Sequence, residues 1–398
     1  MEYVEYIGYH GDCVRYNNFG KAIPPYPRST YITGIVFDKF RYHVGEGDMW
    51  PVTWGADDII YTAAGDNNGS PMNFWKVREI GSLTKNPMTH TENFRVEIID
   101  NLPINPQEYC TDPQDNRRRG IKPAGLLDVG GTLYFAVEAG NYGTEPLFTR
   151  QTNVHGWIIT SNDHGQSWNR EATDRYFFSG RLASCHFLNC GRGYEDAPDG
   201  YVYAYFPGAD DGRSYWENGD FMLLGRVPTG LILNRRAWEF FTGTGDAGEP
   251  KWSPNDADAV PVFRYEKMTG ENHVAYNKGI KRYIFGNYGF VDNELRPRPN
   301  HQGSWPECAM RSQLTLYEAP NPWGPWSLFH QDDNWGTYGD YQPAFPTKWM
   351  LDDGRVMLMV SSGSWDDYNF VVQKLAIKLQ GDSDFPESAK RFGYPFKQ

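Results

Sequence analysis

The stretch WPVTWGADDIIYTAAGD, residues 50–66, reads as a β-hairpin: an apolar strand, a turn around Asp57-Asp58, and a second strand that ends in Gly65-Asp66. Alternation of large and small residues suits a pleated, buried strand, and the Gly/Asp cluster supplies the turn. The same theme returns in KPAGLLDVGGTLYFAVEAG (122–140), CHFLNCGRGYEDAPDGYVYAYFPG (185–208), HVAYNKGIKRYIFGNYG (273–289) and PAFPTKWMLDDGRVMLMVSSG (343–363). The turns carry Asp58, Gly131, Gly200, Gly279 and Gly354, spaced 73, 69, 79 and 75 residues apart. After each hairpin comes a third strand candidate: NFWKVREI, GWIITSND, DFMLLGRV, QLTLYEAP and NFVVQKLAIKL. A repeat of this kind fixes the architecture, because a ring of radial sheets leaves only short, protected edges. The chain is therefore expected to be all-β, a five-bladed β-propeller forming one domain over residues 1–398. A β-sandwich or two β domains in tandem is the competing arrangement. The Pro- and charge-rich stretches at 101–121 and 290–308 fall inside the repeat and read as long loops rather than linkers.

Composition agrees. Of 398 residues, 14 are Trp, 26 Tyr and 23 Phe, alongside 42 Gly and 27 Pro, a mixture that favours strands and tight turns. The net charge is −12 and no basic run could track a phosphate backbone, so nucleic acid is not an expected partner. No stretch has the length of a membrane-spanning helix, so no membrane partner is expected either. The start, MEYVEYIGYH, lacks the basic-then-apolar order of a signal peptide. The compartment stays open: extracellular if a signal peptide was removed, cytoplasmic otherwise. Five cysteines (Cys13, Cys110, Cys185, Cys190, Cys308) without a CxxC pair read as free, packed thiols. Cys185-His186 with Cys190 has some flavour of a metal site, but strand alternation sends Cys185 and His186 to opposite faces. No metal and no cofactor is expected.

Ser161-Asn-Asp163-His-Gly165-Gln-Ser-Trp168 resembles the Asp box of sialidases and other propeller proteins. Its Asp and Ser would bond turn amides while Trp packs beneath, so the expected role is structural, not catalytic.

Antiparallel pairing turns sequence into geometry, since the start of an inner strand and the end of the second strand lie on one rim. In blade one that places Asp48, just before the inner strand, beside Asp66 at the end of the second. Two carboxylates at the mouth of a funnel are the minimum for glycoside hydrolysis, one protonated to release the leaving oxygen and one ionised as base or nucleophile. Burial and like charge drive such a pair's pKa values apart. The bland alternative is that each Asp bonds a turn amide. The same mapping brings Lys122, Glu138, His186, His273, Asn287 and Tyr341 to the rim as candidate sugar-binding residues. Buried and hydrogen-bonded packing is the commoner fate of such histidines. Trp50, Trp54 and Trp365 are candidates to stack on sugar rings, or else wedges between blades.

The run Gly47-Asp48-Met-Trp50-Pro51-Val-Thr-Trp54-Gly-Ala-Asp57-Asp58 with Tyr61-Thr-Ala-Ala-Gly65-Asp66 resembles the signature of a propeller family long catalogued as a domain of unknown function, DUF4185, which contains endo-D-arabinanases of glycoside hydrolase family 183. The likeness extends through Lys122-Pro123-Ala-Gly125, Gly131-Thr-Leu-Tyr134, Asp199-Gly-Tyr-Val-Tyr203, Arg226-Val-Pro228, Trp238-Glu-Phe-Phe241 and Pro320-Asn-Pro322-Trp323-Gly324-Pro325-Trp326, covering residues 45–380. It implies a five-bladed hydrolase of furanose-containing glycans whose two essential aspartates fall on Asp48 and Asp66. Two departures stand out: the Ala-Ala before Gly65-Asp66, where an aromatic is expected, and the loops at 101–121 and 290–308.

The expected function is thus a glycoside hydrolase cleaving within a polysaccharide, D-arabinan first, with an inverting mechanism suited to a roomy rim. Rivals are a polysaccharide lyase or rhamnosidase-like propeller using His with Tyr or Arg, and a non-catalytic glycan-binding propeller. Sialidase action is disfavoured, because Arg192, Arg226 and Arg311 all lie off the expected rim positions.

Overall fold

The hairpin at residues 50–66 forms as Val52–Trp54 paired antiparallel with Ile60–Asn67, Val52 opposite Thr62 and Trp54 opposite Ile60. Its turn places Asp58 at φ 70, a left-handed conformation that Asp tolerates better than most residues. In this computed structural model, which describes residues 3–7, 13–16, 20–44, 46–67, 70–79, 94–99, 109–112, 114–116, 118–140, 152–297, 311–336, 339–363 and 368–392, the other four hairpins form as well. Arg118–Val129 pairs with Thr132–Gly140, His186–Phe187 with Tyr201–Gly208, Val274–Asn277 with Arg282–Val291, and Met350–Leu351 with Val356–Ser361. The third strands follow at Ser70–Glu79, Thr152–Ser161, Gly219–Pro228, Arg311–Ala319 and Phe370–Leu379. The five sheets are arranged as a five-bladed β-propeller.

Each blade gains a further strand outside these three. In four blades it comes from the chain that follows: Phe94–Ile99, Phe178–Ser179, Glu239–Thr244 and Ser327–Trp335. The fifth blade takes Ile32–Val44, which precedes blade one and pairs antiparallel with Phe370–Leu379 from Ile32–Leu379 to Val44–Phe370. This strand clasps the two ends of the repeat and closes the ring. Its Ile32 is buried with Leu375 and Ile377 in one apolar cluster and its Val36 with Ala376, Ala389 and Phe392 in another, so apolar burial as well as the ladder holds the closure.

Between blades the core is aromatic. Trp50 is fully buried, edge-on to Trp75 and Phe370 with ring centroids 5.2 and 5.1 Å away, and its indole N–H donates to the Asn369 carbonyl. It wedges blade one against blade five. That corrects its placing as a sugar-stacking residue, because strand alternation allows either side of the blade and tertiary packing takes this one.

The Ser161–Trp168 turn is built from side-chain hydrogen bonds. Ser161 Oγ donates to Asp163 Oδ1 at 2.8 Å and accepts from the Gly165 amide at 2.9 Å, while the Ser167 amide donates to Asp163 Oδ1 at 2.8 Å. Trp168 packs edge-on against Phe74 of blade one, and Gly165, at φ 83, lies so close to that ring that a Cβ would fall 2.2 Å from it. The turn lies at the rim opposite Asp48 and fastens blade two to blade one. Cys185 and Cys190 are free and buried; the other three cysteines lie outside the residues whose side chains are described. Among the described residues no helix is long and apolar enough to cross a membrane.

The closing strand gives a direct test. Val36→Asp puts a carboxylate into its buried face and is expected to cost at least about 3 kcal/mol, lowering the melting temperature by several degrees in calorimetry. Thr33→Asp, on the exposed face of the same strand, is expected to leave melting within about a degree of wild type.

Candidate active site

Inner-strand starts and second-strand ends do converge on one rim. Asp48 forms a two-way backbone bridge with Gly65, its N–H donating at 2.8 Å and its carbonyl accepting at 2.7 Å, which sets Asp66 next to it. In blade two the same construction places Lys122 directly opposite Glu138. Asp48, Asp66, Lys122 and Glu138 line one open-mouthed cavity together with Met49, Gly120, Gly140, Asn153, Trp216 and Tyr368.

Local backbone shape explains why Gly65 precedes Asp66. A Cβ on Gly65 would lie 2.6 Å from Asp48 Oδ1, so only glycine lets that carboxylate lie over the strand. Met49 and Asp66 themselves sit at φ 57 and 43. Left-handed non-glycine residues each cost on the order of 1–3 kcal/mol and persist where the surroundings over-determine them. Here both flank the carboxylates.

Lys122 holds the pair apart while screening it: its Nζ lies 2.5 Å from Asp66 Oδ1 and 3.7 Å from Asp48 Oδ1. Asp48 is 5% exposed and its Oδ2 accepts from the Tyr341 hydroxyl at 3.1 Å. Burial pushes the Asp48 carboxyl up to about 6, with the Lys122 charge opposing and the Asp66 charge reinforcing the shift. Asp66 reaches further out, its side chain 22% exposed. The two carboxyl groups therefore occupy contrasting environments within one cavity.

Beneath them lies a second acidic pair that only half showed in the sequence. Glu138 and Glu271 are both buried, and burial raises both carboxyls, Glu138 far above the ordinary range and Glu271 to about 7. Glu271 accepts from Asn153 Nδ2 at 2.6 Å and Gln342 Nε2 at 3.1 Å, ties from blades two and five. Glu271 lies just before the inner strand of blade four, two residues upstream of His273. The rim rule reaches it when the window is widened by one turn.

The remaining candidates divide. Tyr341 is fully buried and reaches the site through its bond to Asp48 and an edge-on contact with Trp216, ring centroids 5.7 Å apart. His186 and His273 are buried with ring centroids 5.3 Å apart, and burial holds both imidazoles below their usual range, His273 at about 4. Both are interior groups rather than sugar contacts. Asn287 is also interior, donating to the Met268 carbonyl and Thr315 while accepting from Asn272. Trp54 sits at the hairpin turn, its indole donating to Asp58 Oδ1 at 2.9 Å, so it belongs to the opposite rim. Trp365 lies outside the described residues. The aromatic rings that do line the cavity are Trp216 and Tyr368. Trp216 is half-buried in the connection between the second and third strands of blade three, a segment the antiparallel mapping assigns to this same rim. Three consecutive arginines, Arg117 to Arg119, follow the long loop before blade two, and Arg119 is buried and ion-paired to Asp112 and Asp115. Its neighbours Arg117 and Arg118 lie outside the residues whose side chains are described.

Fold and site together define a propeller with unequal carboxyl groups at one mouth of its ring. The family model for a domain of unknown function, DUF4185, matches residues 86–374, and the chain belongs to that family. Asp48 and Asp66 precede the matched span. No curated protein matches the chain in sequence. Among solved structures, a Bacteroides ovatus protein provisionally assigned as a hydrolase is similar at 12% identity over 84% of this chain and 87% of its own, with a TM-score of 0.47. A GH43_1 enzyme from Xanthomonas citri is similar at 10% identity over 90% and 93%, with a TM-score of 0.46. A GH130 structure, described with glycoside hydrolases that target β-1,2-mannosidic linkages in Candida mannan, is similar at 12% identity over 91% and 96%, with a TM-score of 0.43.

Lys122 is the electrostatic keystone of the pair. Lys122→Met is expected to cost about 1–3 kcal/mol at pH 8, where both aspartates are ionised and repel. At pH 5, below the value to which Asp48 is raised, the loss should shrink because one charge is already neutralised. Thermal melts of wild type and variant at the two pH values measure this. An equal loss at both would mean that the lysine acts through packing alone.

Proposed function

We propose that this protein is a glycoside hydrolase that cleaves within a furanose-containing polysaccharide, D-arabinan being the leading substrate, with Asp48 as general acid and Asp66 as general base. The observation that carries the reading is the contrast within one cavity: a buried Asp48 raised to about 6 beside a partly exposed, lysine-paired Asp66. Hydrolysis needs one carboxyl that still holds a proton near neutrality and one that has lost it. The ammonium between them keeps the two from sharing a single proton as a closely apposed pair of aspartates would.

In this scheme Asp48 gives its proton to the glycosidic oxygen as the bond to the anomeric carbon breaks. Asp66 removes a proton from the water that attacks that carbon. One chain end leaves as an alcohol and the other as a hemiacetal, and both carboxyl groups then exchange with solvent to restore the starting state. Tyr341, bonded to Asp48, orients the acid. Trp216 and Tyr368 offer ring faces to a sugar, the contact that most sugar sites use for apolar area. The arabinan assignment is supported by the resemblance of the Gly47–Asp66 run to endo-D-arabinanases, and the chain's net charge of −12 favours a neutral glycan over a uronate-rich one. Nothing favours a lyase, since the two histidines it would use are buried and their imidazoles are held below the usual range.

Wild-type protein incubated with a panel of furanose and uronic-acid polysaccharides is expected to release oligosaccharides from D-arabinan. Asp48→Asn and Asp66→Asn should each reduce the rate by about 10²–10⁴ while melting as folded proteins. Full activity in both variants would refute the carboxylate mechanism, and binding without release from any polymer would make the protein a glycan-binding propeller.

The acid works only while protonated, so activity should be retained on the acid side and fall as pH rises through about 6. A pH–rate profile with no loss between pH 5 and 8 would remove Asp48 from the acid role.

A further inference from the structure

Under the Asp48–Asp66 pair, three ligand-bearing side chains from three blades converge. Glu138 ends the second strand of blade two, His186 lies on the inner strand of blade three, and Glu271 precedes the inner strand of blade four. One ligand atom from each lies within 4.8 Å of the other two, and all three residues are buried. Bonds of about 2.0–2.2 Å place neighbouring ligands roughly 3–4 Å apart, so small side-chain rotations would complete a coordination shell.

Two further observations point to a ligand here. Glu138 Oε2, fully buried, has no hydrogen-bond partner among the described residues, an arrangement that a buried carboxylate oxygen does not tolerate cheaply. Charge is also unbalanced: the one Lys122 ammonium is ion-paired with Asp48 and Asp66 and acts on Glu138 only from further off, and among the described residues neither Glu138 nor Glu271 has an ion pair. Carboxylates removed from water must either take up protons or face a cation. Glu138 and Glu271 lie within hydrogen-bonding reach of each other, as a shared proton would have them, and a cation held between them would replace that proton. Asn153 and Gln342 donate to the two oxygens of Glu271, and Ser184 Oγ is 2.6 Å from His186 Nε2, the kind of outer contact that fixes metal ligands in place. Glu138 also lines the cavity, which gives an ion a path in from solvent.

We propose that Glu138, His186 and Glu271 form a divalent-cation site on the floor of the cavity, open toward it. Two carboxylates with one imidazole are a mixed donor set, better matched to Mn²⁺ or Zn²⁺ than to Mg²⁺ or Ca²⁺, which take oxygen ligands. Cys185 and Cys190 take no part; His186 finds its partners on other blades, not in its own sequence neighbourhood. The site stands on its own geometry and does not depend on the hydrolase reading. Its physical effect would be to neutralise the lower acidic pair and tie blades two, three and four together at the centre of the ring.

The full-length protein, stripped with chelator, reloaded with excess Mn²⁺ or Zn²⁺ and dialysed against metal-free buffer, should retain one equivalent per chain by elemental analysis. It should melt several degrees higher with the metal than without, and Mg²⁺ should give a smaller shift. Glu271→Gln and Glu138→Gln should each weaken Mn²⁺ affinity by at least about 100-fold, the upper end of what loss of an outer contact alone costs. Asp48→Asn, outside the three ligands, should still take up one equivalent. Elemental analysis of wild type requires no variant to fold. Wild type that retains no metal, and whose melting none of the four cations shifts, would overturn the site and leave Glu138 and Glu271 sharing a proton. Metal uptake undiminished in both glutamine variants would overturn the ligand assignment. Either result leaves the polysaccharide assay free to succeed or fail separately.

Discussion

Every rim residue owes its position to the pairing of Ile32–Val44 with Phe370–Leu379. Blades pack by their faces, and a ring of such sheets brings the inner-strand starts to one axis only when its last blade is joined to its first. The joint here is non-covalent: a ladder of backbone hydrogen bonds backed by buried aliphatic side chains, with Trp50 wedged beside it between blades five and one. Closing it brings together chain segments more than three hundred residues apart, a large loop-closure cost that burial along the whole strand must offset. Once it is closed, Tyr341 of blade five can reach Asp48 of blade one.

The cavity is then an electrostatic problem solved at close quarters. Three carboxyl groups, those of Asp48, Asp66 and Glu138, line one mouth with Glu271 buried behind them, and Lys122 is ion-paired with the two aspartates. Exposure divides the upper pair: Asp48 lies under the wall with its carboxyl raised, and Asp66 meets the cavity in an ion pair. The backbone is strained where this is arranged, at Met49 and Asp66, and glycine is required where Asp48 crosses Gly65. Left-handed residues occur at the opposite rim too, at Asp58 and His164, but there they serve tight turns that are packed and hydrogen-bonded for stability, whereas here they flank carboxyl groups.

Much of this was legible in the residue order. Hairpin spacing revealed five blades, the third strands fell where alternation placed them, and antiparallel geometry paired Asp48 with Asp66 and Lys122 with Glu138. The failures have one cause. Trp50, Trp54 and Trp365 were candidates either to stack on a sugar or to wedge between blades; packing sends Trp50 to the blade interface and the hairpin turn sends Trp54 to the far rim. Trp216 was missed because it belongs to a connection rather than to a hairpin, and Glu271 because it sits just ahead of its strand.

What the sequence determined by itself is periodic and local: strands from alternation, turns from Asp and Gly, blade number from the repeat, and which end of each hairpin faces the site. The tertiary structure alone decided the rest. It showed that the ring closes with a strand from before the first repeat, that burial raises Asp48 while Asp66 stays near solvent, and that His186 faces Glu138 and Glu271. Register follows from a period of two residues, which any stretch of chain displays. Burial and cross-blade contact depend on groups dozens to hundreds of residues away, and no local pattern records them.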